Sequence, residues 1–181
     1  DSGMRILGPN CLGIYNSAIG FFATFTSTLE NGLPKPVGAG LVSQSGAYGS
    51  HVSLLAIRRG IGIRYWITTG NECDVELAEC IACLAADPDI RTIVAYAEGA
   101  RDGHALMEAL TLARQMKKPV VFMKVGQSSI GAEAAASHTA ALAGSDAIYD
   151  GVLRQCGAYR AGNTEELLDV TYACNLGVLP K

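Results

Sequence analysis

The sequence predicts an α/β protein, a three-layer, doubly wound parallel sheet of about five strands with helices on both faces. Three observations predict it. From Val37 onward, strand-like and helical runs alternate strictly. The strands are short and continuously apolar, as strands covered on both faces are. With 49% hydrophobic residues, the 181-residue chain also has enough apolar material for one good-sized core.

Residues 1–36 read as an appendage. They hold a strand-like Arg5–Leu7, the turn Gly8-Pro9-Asn10-Cys11, and a stretch with irregular aromatics and no helical period, ending at the hinge Pro34-Lys35-Pro36. An extended arm or the remnant of a preceding domain is expected there. The regular pattern starts with strand Gly38–Ser43 and helix Ala47–Gly60, whose Val52, Leu55 and Ile57 face inward. Strand Gly62–Thr68 and helix Val75–Asp87 follow, then strand Arg91–Ala97 and helix Asp102–Lys117. Strand Pro119–Val125 leads into the small-residue stretch Lys124–Gly144; after it come helix Ser145–Gly157, the short strand Ala158–Ala161 and helix Asn163–Cys174. Asn163 and Glu166 form a capping-box pair at the start of the last helix. Five strands in this arrangement suggest the flavodoxin-like order 2-1-3-4-5, in which strand-to-helix loops open on one edge and ligands bind there.

The totals exclude several classes of function. The formal net charge is -3 and no Lys/Arg cluster occurs, which argues against a nucleic-acid surface. No apolar run reaches membrane-spanning length and the N-terminus carries no signal-peptide pattern, so a cytoplasmic protein is expected. The six cysteines lack the spacing of a secreted disulfide scaffold and read as reduced thiols. Cys80 and Cys83 are expected on one buried helical face rather than at a metal, and no metal site is expected. The chain starts without methionine and ends Leu176–Lys181 in an apolar run with a proline, so it reads as a piece of something longer.

The candidate chemistry comes from the loops at the strand ends. Ser43-Gln44-Ser45-Gly46 turns a strand sharply into a helix through small residues; its backbone N–H groups and helix N-terminus favour an anion of phosphate size, with the Ser43 and Ser45 hydroxyls assisting. In the second loop Asp74 can cap the helix starting at Val75, whereas Asn71 and Glu72 have no such local role. In the third, Glu98 follows a buried strand and is placed to accept a hydrogen bond from an imidazole, while Asp102 reads as a helix cap. The fourth is Lys124–Gly144, where His138 has space around it and little to lock it. His51 and His104 sit in helices and read as surface or packing residues.

These residues carry a resemblance. Gly8–Gly13 (GPNCLG), Gly40–Gly49 (GLVSQSGAYG), Gly70–Asp74 (GNECD), Tyr96–Gly103 (YAEGARDG) and Lys118–Gly144, with SHTAALAG at its end, resemble the nucleoside-diphosphate-forming acyl-CoA synthetases, relatives of the succinyl-CoA synthetase alpha subunit. The resemblance implies that residues 37–181 are a flavodoxin-like, succinyl-CoA-ligase-like domain and residues 1–36 the tail of a CoA-binding domain plus linker. It implies interconversion of acyl-CoA, ADP and phosphate with the free acid, CoA and ATP, with Mg, through an acyl-phosphate and a phosphohistidine. On it, His138 is the residue phosphorylated and Glu98 orients it; Ser43, Gln44, Ser45 and Gly46 hold the phosphoryl group. Asn10, Cys11 and Asn71 lie near the acyl and CoA end. A swinging imidazole fits a loop supplied with Gly126, Gly131, an Ala run and Gly144.

The implied partners are a CoA-binding domain and a nucleotide-grasping domain or subunit, with a small carboxylic acid as substrate and a homo-oligomer possible. By itself the chain is expected not to complete the reaction. Two other readings stand beside this one. One is an acyl-CoA-sensing, ligase-like region of a two-part protein lysine acetyltransferase, and the other is a flavodoxin-like module holding FMN at the Ser43–Gly46 loop.

Overall fold

The structure, a computed structural model, describes residues 3–125 and 146–177. Five parallel strands form its centre: β3 (Gly38–Ser43), β4 (Ile63–Thr68), β5 (Ile90–Ala97), β6 (Val120–Lys124) and β7 (Tyr159–Arg160). They lie in the order β4-β3-β5-β6-β7, which is the expected 2-1-3-4-5. Among the described residues the α-helices are α1 (Gly46–Arg58), α2 (Leu77–Ala86), α3 (Gly103–Gln115), α4 (Asp146–Cys156) and α5 (Thr164–Asn175).

Continuously apolar strands make sense in this sheet because successive side chains enter different cores. Val42, Ile93, Ala95, Val120 and Phe122 pack with α2, α3 and α4. Their neighbours Leu41, Val94 and Val121 pack on the other face with Val52 and Ala56 of α1 and Leu167 and Leu168 of α5.

Among the described residues the sheet has seven strands, where about five were expected. The extra two, β1 (Gly13–Asn16) and β2 (Phe21–Thr24), form an antiparallel hairpin, and β1 pairs with the outer edge of β4. Strands of four residues with adjacent aromatics give no readable period, so the sequence showed only an irregular arm. Burial of Tyr15 holds the hairpin. Its ring stacks on Trp66 with centroids 5.5 Å apart, and its hydroxyl meets Ser53 Oγ at 3.0 Å. Burying such a side chain is worth on the order of 2 kcal/mol.

The strand expected at Arg5–Leu7 does not form. That segment runs along the β4–α2 loop, where Ile6, Gly8 and Pro9 carbonyls accept the N–H groups of Val75 (3.1 Å), Cys73 (2.9 Å) and Asn71 (2.9 Å). The cysteine pair is also corrected, since Cys80 is buried but Cys83 is exposed. The buried stripe of α2 is Leu77, Ala78, Cys80, Ile81, Leu84 and Ala85. Cys80 lies on its margin, and three more residues turn Cys83 a further ~60° away from it. Asn163 caps α5 by accepting the Glu166 N–H at 2.9 Å, while the Glu166 carboxylate turns to the N–H of Gly162 at 2.7 Å instead of closing the box on Asn163. Among the described residues no helix is long and apolar enough to cross a membrane.

Candidate functional site

At the C-terminal edge of β3, the chain turns into α1 through Ser43-Gln44-Ser45-Gly46. Ser45 is the N-cap, its Oγ accepting the Tyr48 N–H at 3.2 Å. Ser43 is fully buried and donates its hydroxyl to the Ser45 carbonyl at 2.7 Å. The N–H groups of Ser45, Gly46 and Ala47 have no hydrogen-bond partner among the described residues. These are the open donors of a helix N-terminus, where the backbone dipoles favour negative charge. A Cβ on Gly46 would fall 2.7 Å from Leu12 Cγ, so only glycine lets Leu12 close against this helix end.

The second loop is held by the arm. Gly70 has φ +60, and a Cβ there would lie 2.2 Å from the Pro9 carbonyl oxygen. The amide of Asn10 donates to Asn71 Oδ1 at 3.1 Å, so two candidate residues sixty-one positions apart are joined. Asp74 does not cap α2. It is taken by the Arg5 guanidinium at 3.0 Å and by the Ile6 N–H at 2.7 Å, which hold its carboxyl below the usual range. The helix starts two residues later than expected, at Leu77, whose N–H donates to the carboxylate of Glu72 at 2.9 Å. Glu72 therefore does have a local role. It is 3% exposed, and it also accepts from Thr69 Oγ1 at 2.7 Å and from Gln44 Nε2 at 3.0 Å. Burial pushes its carboxyl above the ordinary value, and the hydrogen bonds from Thr69, Gln44 and Leu77 restrain the shift.

Beyond β5, Glu98 is half-buried and its N–H donates to Gln44 Oε1 at 2.6 Å. Asp102 caps α3, as expected, accepting from His104 and Ala105 at 2.8 and 3.0 Å. At the end of β6 stands Lys124, 1% exposed and in register with Ala97, its ammonium 4.9 Å from the Tyr149 ring centroid. Burial pulls the ammonium below the ordinary lysine value, with Asp146 and Glu98 opposing. Sequence reasoning passed over this residue. The signal was a lysine ending an otherwise apolar strand, VVFMK.

A cleft of about 400 Å³ lies where these loops meet. The arm lines it with Asn10, Cys11, Leu12 and Phe25, the first loop with Gln44 to Ala47, the second with Gly70 and Asn71, and the third with Glu98. Of the predicted residues, Asn10, Cys11, Gln44, Ser45, Gly46, Asn71 and Glu98 come together here, and Ser43 lies behind the wall. His138 and the loop around it lie outside the described residues. His51 and His104 are exposed and are not among the residues that line the cleft. Leu12, Phe25, Ala47 and Gly70 were not anticipated; Phe25 and Leu12 come from the arm, whose path the sequence did not disclose. A larger groove of about 690 Å³ between α2 and α3 holds none of the predicted residues. Among the described residues, no group of three or more His, Cys, Asp or Glu could hold a metal ion.

Comparison with known proteins agrees with the motifs. Residues 36–174 match the model of the succinyl-CoA ligase like flavodoxin domain. The chain is 37% identical over 171 residues to the alpha subunit of an ADP-forming acetate–CoA ligase (II) of Pyrococcus furiosus, covering 94% of this chain and 36% of that protein. It is 38% identical to the ADP-forming 4-hydroxybutyrate–CoA ligase of Nitrosopumilus maritimus, covering 98% of this chain and 25% of that one. A dinucleotide-forming acetyl-coenzyme A synthetase 1 of Ca. Korarchaeum cryptofilum, solved with phosphate and ADP, superposes with a TM-score of 0.87 at 32% identity over 96% of this chain and 37% of that one. The chain thus spans about a third or less of these relatives. Its motifs, its strand order and the matched residues lead to one assignment: the chain belongs to the succinyl-CoA ligase like flavodoxin domain family.

Proposed function

We propose that this chain is the phosphohistidine-bearing part of an ADP-forming acid–thiol ligase, which interconverts acyl-CoA, ADP and phosphate with a carboxylic acid, CoA and ATP. One observation carries the reading. Residues singled out from separate stretches of sequence, at 10–11, 44–46, 71 and 98, line one cleft beside an open helix N-terminus. The relatives named as ADP-forming ligases, and the neighbour solved with phosphate and ADP, support it. Because those relatives are named ligases, the acyl-CoA-sensor alternative is not carried forward.

In this reading the N–H groups of Ser45, Gly46 and Ala47 receive phosphoryl oxygens, and no charged side chain is needed for that. A nitrogen of the His138 ring attacks the phosphorus of an acyl-phosphate; the N–P bond forms, the acyl O–P bond breaks and the carboxylate leaves. Glu98 accepts the N–H of the other ring nitrogen, fixing the tautomer and stabilising the cationic ring. The segment with His138 leaves β6 directly after Lys124 and Val125, and Lys124 is in register with Ala97, the residue before Glu98. The phosphoryl group then passes from the histidine to ADP. CoA and the nucleotide, with Mg, are held mainly by a CoA-binding and a nucleotide-grasping domain or subunit outside residues 37–181. Residues 1–36 belong to the CoA-binding side.

The test is to incubate the full-length enzyme with γ-labelled ATP and look for acid-labile, base-stable phosphate on the protein. The label should appear in the parent and vanish in His138→Ala. Label that survives the substitution would overturn the assignment.

A further inference from the structure

The Gln44 side chain is used completely. Its Oε1 accepts two backbone N–H groups, from Glu98 at 2.6 Å and Gly99 at 3.1 Å. Its Nε2 donates twice, to the Gly99 carbonyl at 2.7 Å and to Glu72 Oε2 at 3.0 Å. An amide has two acceptor and two donor positions, so none remains for a ligand. The orientation is also determined, because turning the amide over would set its NH₂ against two N–H donors. Glu72 is bound in its turn by Thr69 Oγ1 and the Leu77 N–H, and Arg101 donates to its backbone carbonyl. Three strand ends thus meet in one buried network, after β3, β4 and β5.

Its location points beyond stability. Gln44 directly precedes Ser45, the cap of the open helix N-terminus, and its other contact is the backbone of Glu98. The same side chain therefore ties the backbone of Glu98 and Gly99 to the residue before the α1 cap, and Glu72 holds that side chain in its orientation. We propose that Gln44 is a positioning residue which aligns Glu98 with the open N-terminus of α1, and that the buried carboxylate of Glu72 fixes it for that task. The first half of this role rests on the proposed function, since it gives Glu98 and the helix end their parts. The tie itself does not depend on that reading.

Two measurements on the full-length protein separate the two. Gln44→Met keeps the side-chain length and removes the amide. Residue-resolved amide exchange at Glu98 and Gly99 should accelerate about fivefold or more, because each N–H loses its buried acceptor. Histidine phosphorylation and turnover should fall about tenfold to a hundredfold in kcat, with KM moved less than about twofold, because a catalytic group is misplaced while the binding groups stay. The second measurement reverses the polarity of the Gln44–Glu72 bond. Gln44→Glu alone sets two carboxylates against each other and a carboxylate oxygen against the Gly99 carbonyl, and Glu72→Gln alone sets two NH₂ donors against each other. In the double variant a Gln at 72 donates to a Glu at 44 while the Glu still faces the Gly99 carbonyl, so it should recover part, about threefold or more, of the kcat lost in Gln44→Glu.

Unchanged exchange at Glu98 and Gly99 in Gln44→Met would overturn the tie. A double variant no better than the poorer single one would overturn the coupling, and it decides the matter if Gln44→Met does not fold. If the parent protein takes no label on His138, the functional reading falls, and the exchange measurement alone decides whether Gln44 positions Glu98.

Discussion

Two turns in this molecule look alike in sequence and behave differently. Both the β3–α1 and the β4–α2 connections leave a buried strand, pass through a small residue and begin a helix. At α1 the N–H groups of Ser45, Gly46 and Ala47 meet no acceptor among the described residues, and Ser45 Oγ accepts the Tyr48 N–H. At α2 the chain brings its own anion, since the buried Glu72 carboxylate receives the Leu77 N–H. A helix N-terminus favours negative charge in either case. What sets them apart is that no acceptor among the described residues meets the first N–H groups of α1.

The largest effect is expected at the β4–α2 turn, from Gly70→Ala. The new Cβ would meet the backbone carbonyl oxygens of Pro9 and Asn10 at 2.2 and 2.6 Å, at a φ of +60. Backbone cannot give way as a side-chain tip can, and about 3 kcal/mol of destabilisation is expected. A drop in the urea midpoint with unchanged m-value reads it. A midpoint within experimental scatter of the parent would show that the arm does not clasp this turn.

Removing the two caps in parallel should give a smaller, unequal pair of effects. Glu72→Ala strands the Leu77 N–H and a Gln44 donor in a buried place, at about 2 kcal/mol. Ser45→Ala loses one exposed-end cap, at about 1 kcal/mol. Equal losses in thermal unfolding would remove the distinction between a plugged and an open helix end.

The smallest effect concerns pH. Burial holds the folded-state carboxyl of Glu72 above its unfolded value, so the folded protein binds this proton more tightly. Its contribution favours the fold at low pH and declines as pH rises from the ordinary carboxylate value through the raised one. The stability of the parent minus that of Glu72→Gln should therefore fall with rising pH across that window. A difference that rises instead would mean that the hydrogen bonds outweigh desolvation at this carboxylate.

Most of the fold was legible because the parallel strands carry their burial in composition. VVFMK or GLVS can be read as strands covered on both faces without knowing their neighbours, and the alternation with helices restricts the order. The hairpin at 13–24 was not legible, since Tyr15 counts as structure only once Trp66 and Ser53 are beside it. Asp74 shows the same limit in the site. Its sequence position suits a cap, but Arg5, sixty-nine residues away, competes for the carboxylate and wins with charge-assisted bonds.

The parallel sheet, the edge on which its loops open and the residue types there, small residues, two asparagines and a carboxylate, were readable along the chain. These follow from local periodicity and turn chemistry, which need only near neighbours along the chain. Which polar groups are spent on each other depends on contacts between distant segments. Gln44 and Glu72 could each have faced a ligand, and what turned them inward were partners on other strands, at Thr69, Leu77, Glu98 and Gly99. Hydrogen-bond valence is a pairwise, three-dimensional quantity, so a sequence can offer donors and acceptors, but the fold assigns them.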